Sequence, residues 1–472
     1  MKKYFITFIS IALIAVSCEV NEEYNRDSKY PTIVPGSGLF TNAARNLFDL
    51  MNSASVNDNV FRLYAQYWAQ TTYPDESQYN QITRNIGGSI WNTLYRDVLQ
   101  DLKGARANLI EEEADNLNNK LAIIEFMEVY AYSVLVDTFG DVPYSEALDF
   151  ENSTPAYDDA GTIYASLIEK LNGAITSMGS GSGFEATQDP IYGGDMTKWR
   201  KAANSLRLRM ALRLADVNAS LAQSTAEAAA AATLITENAD NFGIQYLGAA
   251  PNTNPVWVSL VQSGRNDFVA ADTFIDVLNG LEDPRRQFYF ETLDGEYVGG
   301  IYGSANSPAS ASAISDLLKA PDLIGNILTA SEVHFLLSEA AARGYAVGGT
   351  QEEFYAGGIE TSILEWGGTQ EEIDAYLAQP SVAYATAEGD WKQKIATQKW
   401  IAMFNNGMEG WTTWRLFDQP TLNVPDGFTA EDIPTRFLYP ISEATLNGEE
   451  LDAAISAIGG DSQTTKLFWD VN

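Results

Sequence analysis

Residues 197–214, TKWRKAANSLRLRMALRL, decide the fold class. Trp199, Ala202, Ala203, Leu206, Met210 and Leu214 recur at the spacing that lines up apolar side chains on one face of an α-helix. Arg200, Arg207 and Arg213 fall on the other side, and Thr197 stands where a cap is needed. Leu121, Ile124, Met127, Ala131 and Leu135 repeat the pattern ahead of Gly140, and Ala226–Ala232 is a strong helix-forming run. The spacing predicts helix after helix.

Two copies of one phrase show how helices are joined. Gly348-Gly349-Thr350-Gln351-Glu352-Glu353 and Gly367-Gly368-Thr369-Gln370-Glu371-Glu372 each offer a glycine to end one helix and a Thr-x-x-Glu box to start the next. Their offset leaves room for one helix of about four turns and a tight turn. The segment reads as helical hairpins, comparable with tetratricopeptide units although no strict repeat is visible. Between the helical blocks, residues 140–160, 179–196 and 241–325 are rich in Gly, Pro, Asn and Ser. Loops as long as the last are usually functional. Short strands are expected near Arg286–Phe290 and Glu296–Val298. The fold class is therefore mainly α, built of helical hairpins with long irregular loops and a few short strands.

At the N-terminus, Lys2 and Lys3 precede an uncharged run, Tyr4–Val16, too short for a bilayer core but the right length for the apolar part of a signal peptide. Ala15-Val16-Ser17-Cys18 resembles a bacterial lipobox, with Ala15 where leucine is common. Cys18 is the only cysteine, so an internal disulfide is excluded and the thiol stands where a lipoprotein is acylated. Residues 1–17 read as a lipoprotein signal peptide. Residues 18–35, polar, acidic and proline-bearing, read as a lipidated tether reaching at most roughly 60 Å. Residues 36–472 read as a single helical domain.

The formal charge is −34, and loss of Lys2 and Lys3 with the leader makes it more negative. Such a balance repels phosphate backbones and argues against nucleic-acid partners. The single histidine, His334, sits in a dense helical pattern and reads as packed, which removes histidine triads and histidine-rich metal sites. There is no G-x-S-x-G, Walker A lysine, H-E-x-x-H or EF-hand loop. With 63 acidic residues, a pair at glycosidase spacing arises by accident, so Glu111/Glu112 and Glu371/Glu372 carry no catalytic meaning. No enzyme, metal or cofactor is expected.

Six phrases carry a resemblance. Phe139-Gly140-Asp141-Val142-Pro143-Tyr144, Lys198–Arg209, Ser331–Ala340, Gln398–Phe404, Arg436–Pro440 and Thr464–Asp470 resemble, in order, the phrases of the SusD/RagB family of nutrient-binding lipoproteins. Phe468 and Arg415-Leu416 are small departures from its pattern. The resemblance implies a largely helical, tetratricopeptide-like scaffold of helix pairs with the ligand site on irregular loops. It also implies a non-catalytic lipoprotein at the outer membrane that captures a nutrient, usually an oligosaccharide, for a SusC-like TonB-dependent transporter. A binder of peptides or another nutrient in the same complex is the alternative. A surface hydrolase and a purely structural plug or adhesin are the readings from other classes.

Sugar rings stack on aromatic faces while Asn, Asp, Glu and Arg bond their hydroxyls. Residues 67–79 mix these types beyond a helix end, as do Asn254–Trp257 and Arg265–Phe268 within the loop-rich region 241–325. Tyr73, Tyr79 and Trp257 are the candidates for an exposed platform, with Asn254 and Arg265 as hydroxyl partners. Trp68 is expected in the core, and Trp91, Trp411, Trp414 and Trp469 in the scaffold.

Overall fold

Both Thr-x-x-Glu phrases open helices in the computed structural model, which describes residues 34–471. Thr350 accepts from the Glu353 amide at 3.2 Å while the Glu353 carboxylate accepts from the Thr350 amide at 2.9 Å. Thr369 and Glu372 repeat the box at 3.3 and 2.8 Å. Each box holds two amide donors that a helix start otherwise leaves open.

The first half of the chain supplies α1 (Gly36–Asn52), α2 (Gln100–Glu111), α3 (Leu117–Phe139), α4 (Ala160–Ser177), α5 (Met196–Arg213) and α6 (Ala219–Ala230). The second half adds α7 (Asp272–Gly280), α8 (Ala330–Ala342), α9 (Gln351–Glu365), α10 (Gln370–Leu377), α11 (Trp391–Ala402), α12 (Gly407–Phe417) and α13 (Gly448–Ala457). Neighbours in sequence pack as pairs: α1 with α2, α3 with α4, α5 with α6, α8 with α9, and α11 with α12. The scaffold is thus built of helical hairpins, as the duplicated phrase implies. Among the described residues six short strands, β1 (Trp68–Gln70), β2 (Val142–Pro143), β3 (Tyr157–Asp158), β4 (Phe242–Ile244), β5 (Phe268–Ala270) and β6 (Gly325–Leu328), form antiparallel pairs β1–β5, β2–β3 and β4–β6. Residues from Gly36 onward form one compact unit. Cys18, the leader and the tether up to residue 33 lie outside the described residues. Among the described residues no helix is long and apolar enough to cross a membrane.

Three expectations need correction. Thr197 does not cap α5: Asp195 does, accepting from the amides of Thr197 and Lys198, and a carboxylate at a helix start also meets the positive end of its dipole. Arg213 does not face away from the core, because α5 is buried nearly all round from Ala202 onward and its last arginines are enclosed. Arg286–Tyr289 is one turn of helix rather than a strand, and Glu296–Val298 is reduced to a single bridge between Leu293 and Glu296. Trp68, Trp91, Trp411, Trp414 and Trp469 are buried, as expected.

Candidate functional site

β1 and β5 lie side by side, with Gln70 opposite Phe268. The Thr71 amide donates to the Asp267 carbonyl at 2.9 Å and the Thr71 hydroxyl to the Asn266 carbonyl at 2.7 Å. This clasp gathers two loops, after β1 and before β5, against the end of α1. Between them lies a cleft of about 720 Å³. One wall is the end of α1 and the turn after it, from Arg45 and Asp49 to Asp58; the other is a short helix, Pro255–Trp257, that widens into a π-helical turn, Val258–Gln262. Tyr73, Arg84 and Arg265 stand at its mouth.

The arginines of the cleft are paired within the protein. Arg45 Nε meets Asp49 at 2.6 Å, and the Tyr246 hydroxyl donates to the same carboxylate at 2.8 Å. Burial pushes the Asp49 carboxyl up, with Arg45 opposing it. Arg265 Nε donates to Asp267 at 2.6 Å, a bond that raises the guanidinium above its ordinary range. Arg84 Nε donates to Glu76, whose side chain is 1 % exposed and also accepts from Gln70 at 2.6 Å. The same Gln70 amide holds the Tyr73 carbonyl at 3.0 Å, so one relay runs from Arg84 to Tyr73. Arg84 and Arg265 are each tied only at Nε; among the described residues their Nη groups have no partner. A guanidinium oriented from behind and open in front can donate to hydroxyl oxygens, and the Asp267 carboxylate, which lines the cleft, can accept from hydroxyl hydrogens.

Two of the five sequence-derived site residues meet here. Tyr73 is 67 % exposed, at φ +53°, and Arg265 is exposed beside it. Tyr79 is not an exposed platform: it is buried, with its ring edge-on to Tyr64 and Phe428 and tilted against Tyr302, and burial pushes its hydroxyl up. Asn254 is fully buried and engaged, its carbonyl oxygen accepting from the Val256 amide at 2.8 Å as a helix cap and its amide donating to the Leu323 carbonyl at 3.0 Å. Trp257 is half-buried on a helix rather than exposed on a loop. Pro255, Val258 and Ser259 share the face that lines the cleft, and Trp257 points elsewhere. Arg45, Asp49 and Arg84 are among the lining residues that sequence reasoning missed. His334 is half-buried, its Nε2 within 3.2 Å of the Thr236 carbonyl, and burial lowers its pKa. Among the described residues no group of three or more His, Cys, Asp or Glu is placed to hold a metal.

A family profile, SusD-like, described as starch-binding associating with outer membrane, matches residues 28–440. The chain belongs to the SusD-like family. Among solved structures it is similar to a chitin-binding protein (28% identity, TM-score 0.81, covering 93% of this chain and 100% of that one). It is also similar to a chitin-binding SusD homologue from Flavobacterium johnsoniae (26%, 0.79, covering 93% and 99%) and to a SusD-like protein from Bacteroides thetaiotaomicron (25%, 0.79, covering 93% and 99%). No curated protein matches the sequence.

In this SusD-like protein the family phrases build the scaffold, and none of them lines the cleft. Lys198–Arg209 lies on α5, Ser331–Ala340 on α8 and Gln398–Ala402 on α11. Arg209 of α5 meets Glu332 of α8 through two bonds of 2.6 Å. Arg213 meets Glu409 of α12 at 2.6 Å and Asp137 of α3 at 3.4 Å. Asp137 also accepts from Tyr164 at 2.6 Å and from Trp469, in the last phrase, at 2.9 Å. Burial works against the Glu409 carboxylate, but Arg209 and Arg213 outweigh it and hold the group well below the ordinary range.

Proposed function

We propose that this protein is a non-catalytic, cell-surface oligosaccharide binder, anchored to the outer membrane by acylation of Cys18, that passes its ligand to a SusC-like TonB-dependent transporter. The carrying observation is the cleft itself. Exposed Tyr73 offers a stacking face beside Arg84 and Arg265, whose free Nη groups, with the Asp267 carboxylate next to Arg265, match the paired donors and acceptors of a sugar. The chitin-binding proteins of the same fold support the ligand class. The lipobox-like leader supports the location, and family membership supports the transporter.

Calorimetric titration of residues 19–472 with chitin, starch and cellulose oligomers, and with peptides of matched length, tests this reading. An oligosaccharide should bind, and Tyr73→Ala and Arg265→Ala should each weaken it. Binding of a peptide with no response to any oligosaccharide would transfer the site to the peptide reading. In cells, Cys18→Ala should abolish fatty-acid labelling; normal labelling would remove the anchor. Co-purification of the transporter from outer membranes tests the partner.

A further inference from the structure

Tyr73 presents its ring to the cleft from a backbone that a bulky side chain rarely takes: its φ is +53°, in the left-handed region, and Pro74 follows it. Such strain persists only where the surroundings hold it. What holds it is at the end of β1. The Gln70 side chain is 3% exposed, and its amide is used to capacity. Nε2 donates to the Tyr73 carbonyl at 3.0 Å and to Glu76 at 2.6 Å. Oε1 accepts from the Ser77 amide at 2.9 Å and from the Ser77 hydroxyl at 2.6 Å. The loop from Thr71 to Ser77 thus closes around one side chain. Gln70 is itself fixed by the main chain: β1 pairs it with Phe268, and its carbonyl accepts from the amide and the side chain of Asn306, each at 3.0 Å.

We infer that Gln70 is the positioning residue of the cleft, fixing Tyr73 in the pose that stacks on a sugar ring. This rests on the oligosaccharide reading given above. Gln70 borders the cleft, yet its two donors and both acceptor positions are spent inside the protein, so it has none to offer a ligand. Its action goes through the Tyr73 main chain. Stacking needs the ring in one plane, and the direction of a side chain follows its backbone. Released from Gln70, Tyr73 relaxes towards negative φ and its ring leaves the cleft mouth. Holding the strained backbone beforehand spares the ligand the cost of ordering it. Glu76 joins this arrangement to the second contact, because its other oxygen accepts from Arg84 Nε. The position calls for donors towards a carbonyl and a carboxylate and for an acceptor towards Ser77, and among side chains of this length only glutamine supplies both.

A double-mutant cycle tests this, read by calorimetric titration with whichever of chitohexaose, maltohexaose and cellohexaose wild type binds most tightly. Gln70→Met keeps the length of the side chain without its amide. It should weaken binding about fivefold or more in the wild-type background, and less than about twofold in the Tyr73→Ala background, where no ring is left to position. Undiminished affinity in Gln70→Met overturns the inference. So does a loss of equal size in both backgrounds, the mark of a residue that only holds the fold. A second measurement needs neither ligand nor a change at Gln70. Tyr73→Gly should melt about 1 °C above Tyr73→Ala, since glycine accepts the left-handed backbone. Equal melting overturns the inference even if Gln70→Met fails to fold. If wild type binds a hexamer and the cycle is additive, the oligosaccharide reading stands and the inference alone falls. If wild type binds none of the three, both fall together.

Discussion

Arg209 and Arg213 in the interior each meet carboxylates through both Nε and Nη2, whereas Arg84 and Arg265 at the cleft are tied at Nε alone and hold their Nη groups open. The interior pairs join four helices, α3, α5, α8 and α12, through Asp137, Glu332 and Glu409. Every charge there answers another from a different part of the chain, so the pairs specify which helices meet and in what register. The cleft pairs are made within short spans, Glu76 with Arg84 and Arg265 with Asp267. They fix only the direction of a side chain. One residue type thus joins the scaffold where carboxylates hold its fork at two points and leaves donors open to the cleft where only Nε is tied.

The strongest way to break this contrast is Glu409→Ala. It leaves Arg213 and Arg209 in the interior with lost compensation, and removing one partner of a buried pair costs about 3–5 kcal/mol. The melting temperature should fall by about 5–10 °C, while affinity per folded molecule stays the same. Because the interior arginines depress the Glu409 pKa, its stabilisation is present above the ordinary glutamate range and is lost as the pH falls below it. Acid melts of wild type should therefore steepen below about pH 4, and those of Glu409→Ala less so. An unchanged melting temperature would show that the interior pairs do not hold the fold.

Tyr73→Ala is the reciprocal test at the cleft. Truncating an exposed aromatic anchor should weaken oligosaccharide binding by about tenfold or more, with melting shifted by no more than about 1 °C. A drop in stability comparable with that in affinity would erase the distinction between the two regions.

Thr350→Ala probes the scaffold far from either set of charges. Loss of the capping box should cost about 1 kcal/mol, read as a melting shift of about 2 °C with no change in binding. Any change in affinity would couple α9 to the cleft.

The smallest effect is expected from Glu365→Gln, which sharpens the role of the interior arginines. Burial pushes Glu365 up to about 7, and its partner is an amide, Asn326 at 2.8 Å, rather than a cation. A raised carboxyl pKa means that the folded state holds its proton longer, so the stability this group allows is full in acid and falls as pH rises towards 7. The glutamine variant should gain about 1–2 °C over wild type at pH 8 and nothing at pH 5. A gain of equal size at both values would assign the effect to packing.

How much of this was legible in the sequence depended on range. The capping boxes are three-residue relations and could be read directly, as could the helical periodicity behind α5 and α3. Asn254-Pro255 also carries a local signal, a capping side chain followed by proline at the first helical position, and that signal specifies a helix start rather than a ligand contact. Arg213 defied the pattern because its burial depends on Glu409 and Asp137, which nothing near it in sequence announces. Tyr73 and Tyr79 are the same residue type six positions apart, yet one faces solvent and the other meets Phe428 and Tyr302 from distant segments. The cleft was half legible for the same reason. Tyr73 and Arg265 were found by their chemistry, but Arg45, Asp49 and Arg84 join them only through the β1–β5 clasp, whose three-residue strands leave no pattern to read.

That clasp also sets when the site can exist. Thr71 and its partner Asn266 are 195 positions apart, so a ribosome must complete well over half the chain before the two loops can close on each other. A product cut short ahead of β5 would carry the tyrosine, the first arginines and much of the scaffold sequence, yet have nothing to close around a sugar. The cleft is thus assembled only once β5 has been made, whatever is still to come of the chain.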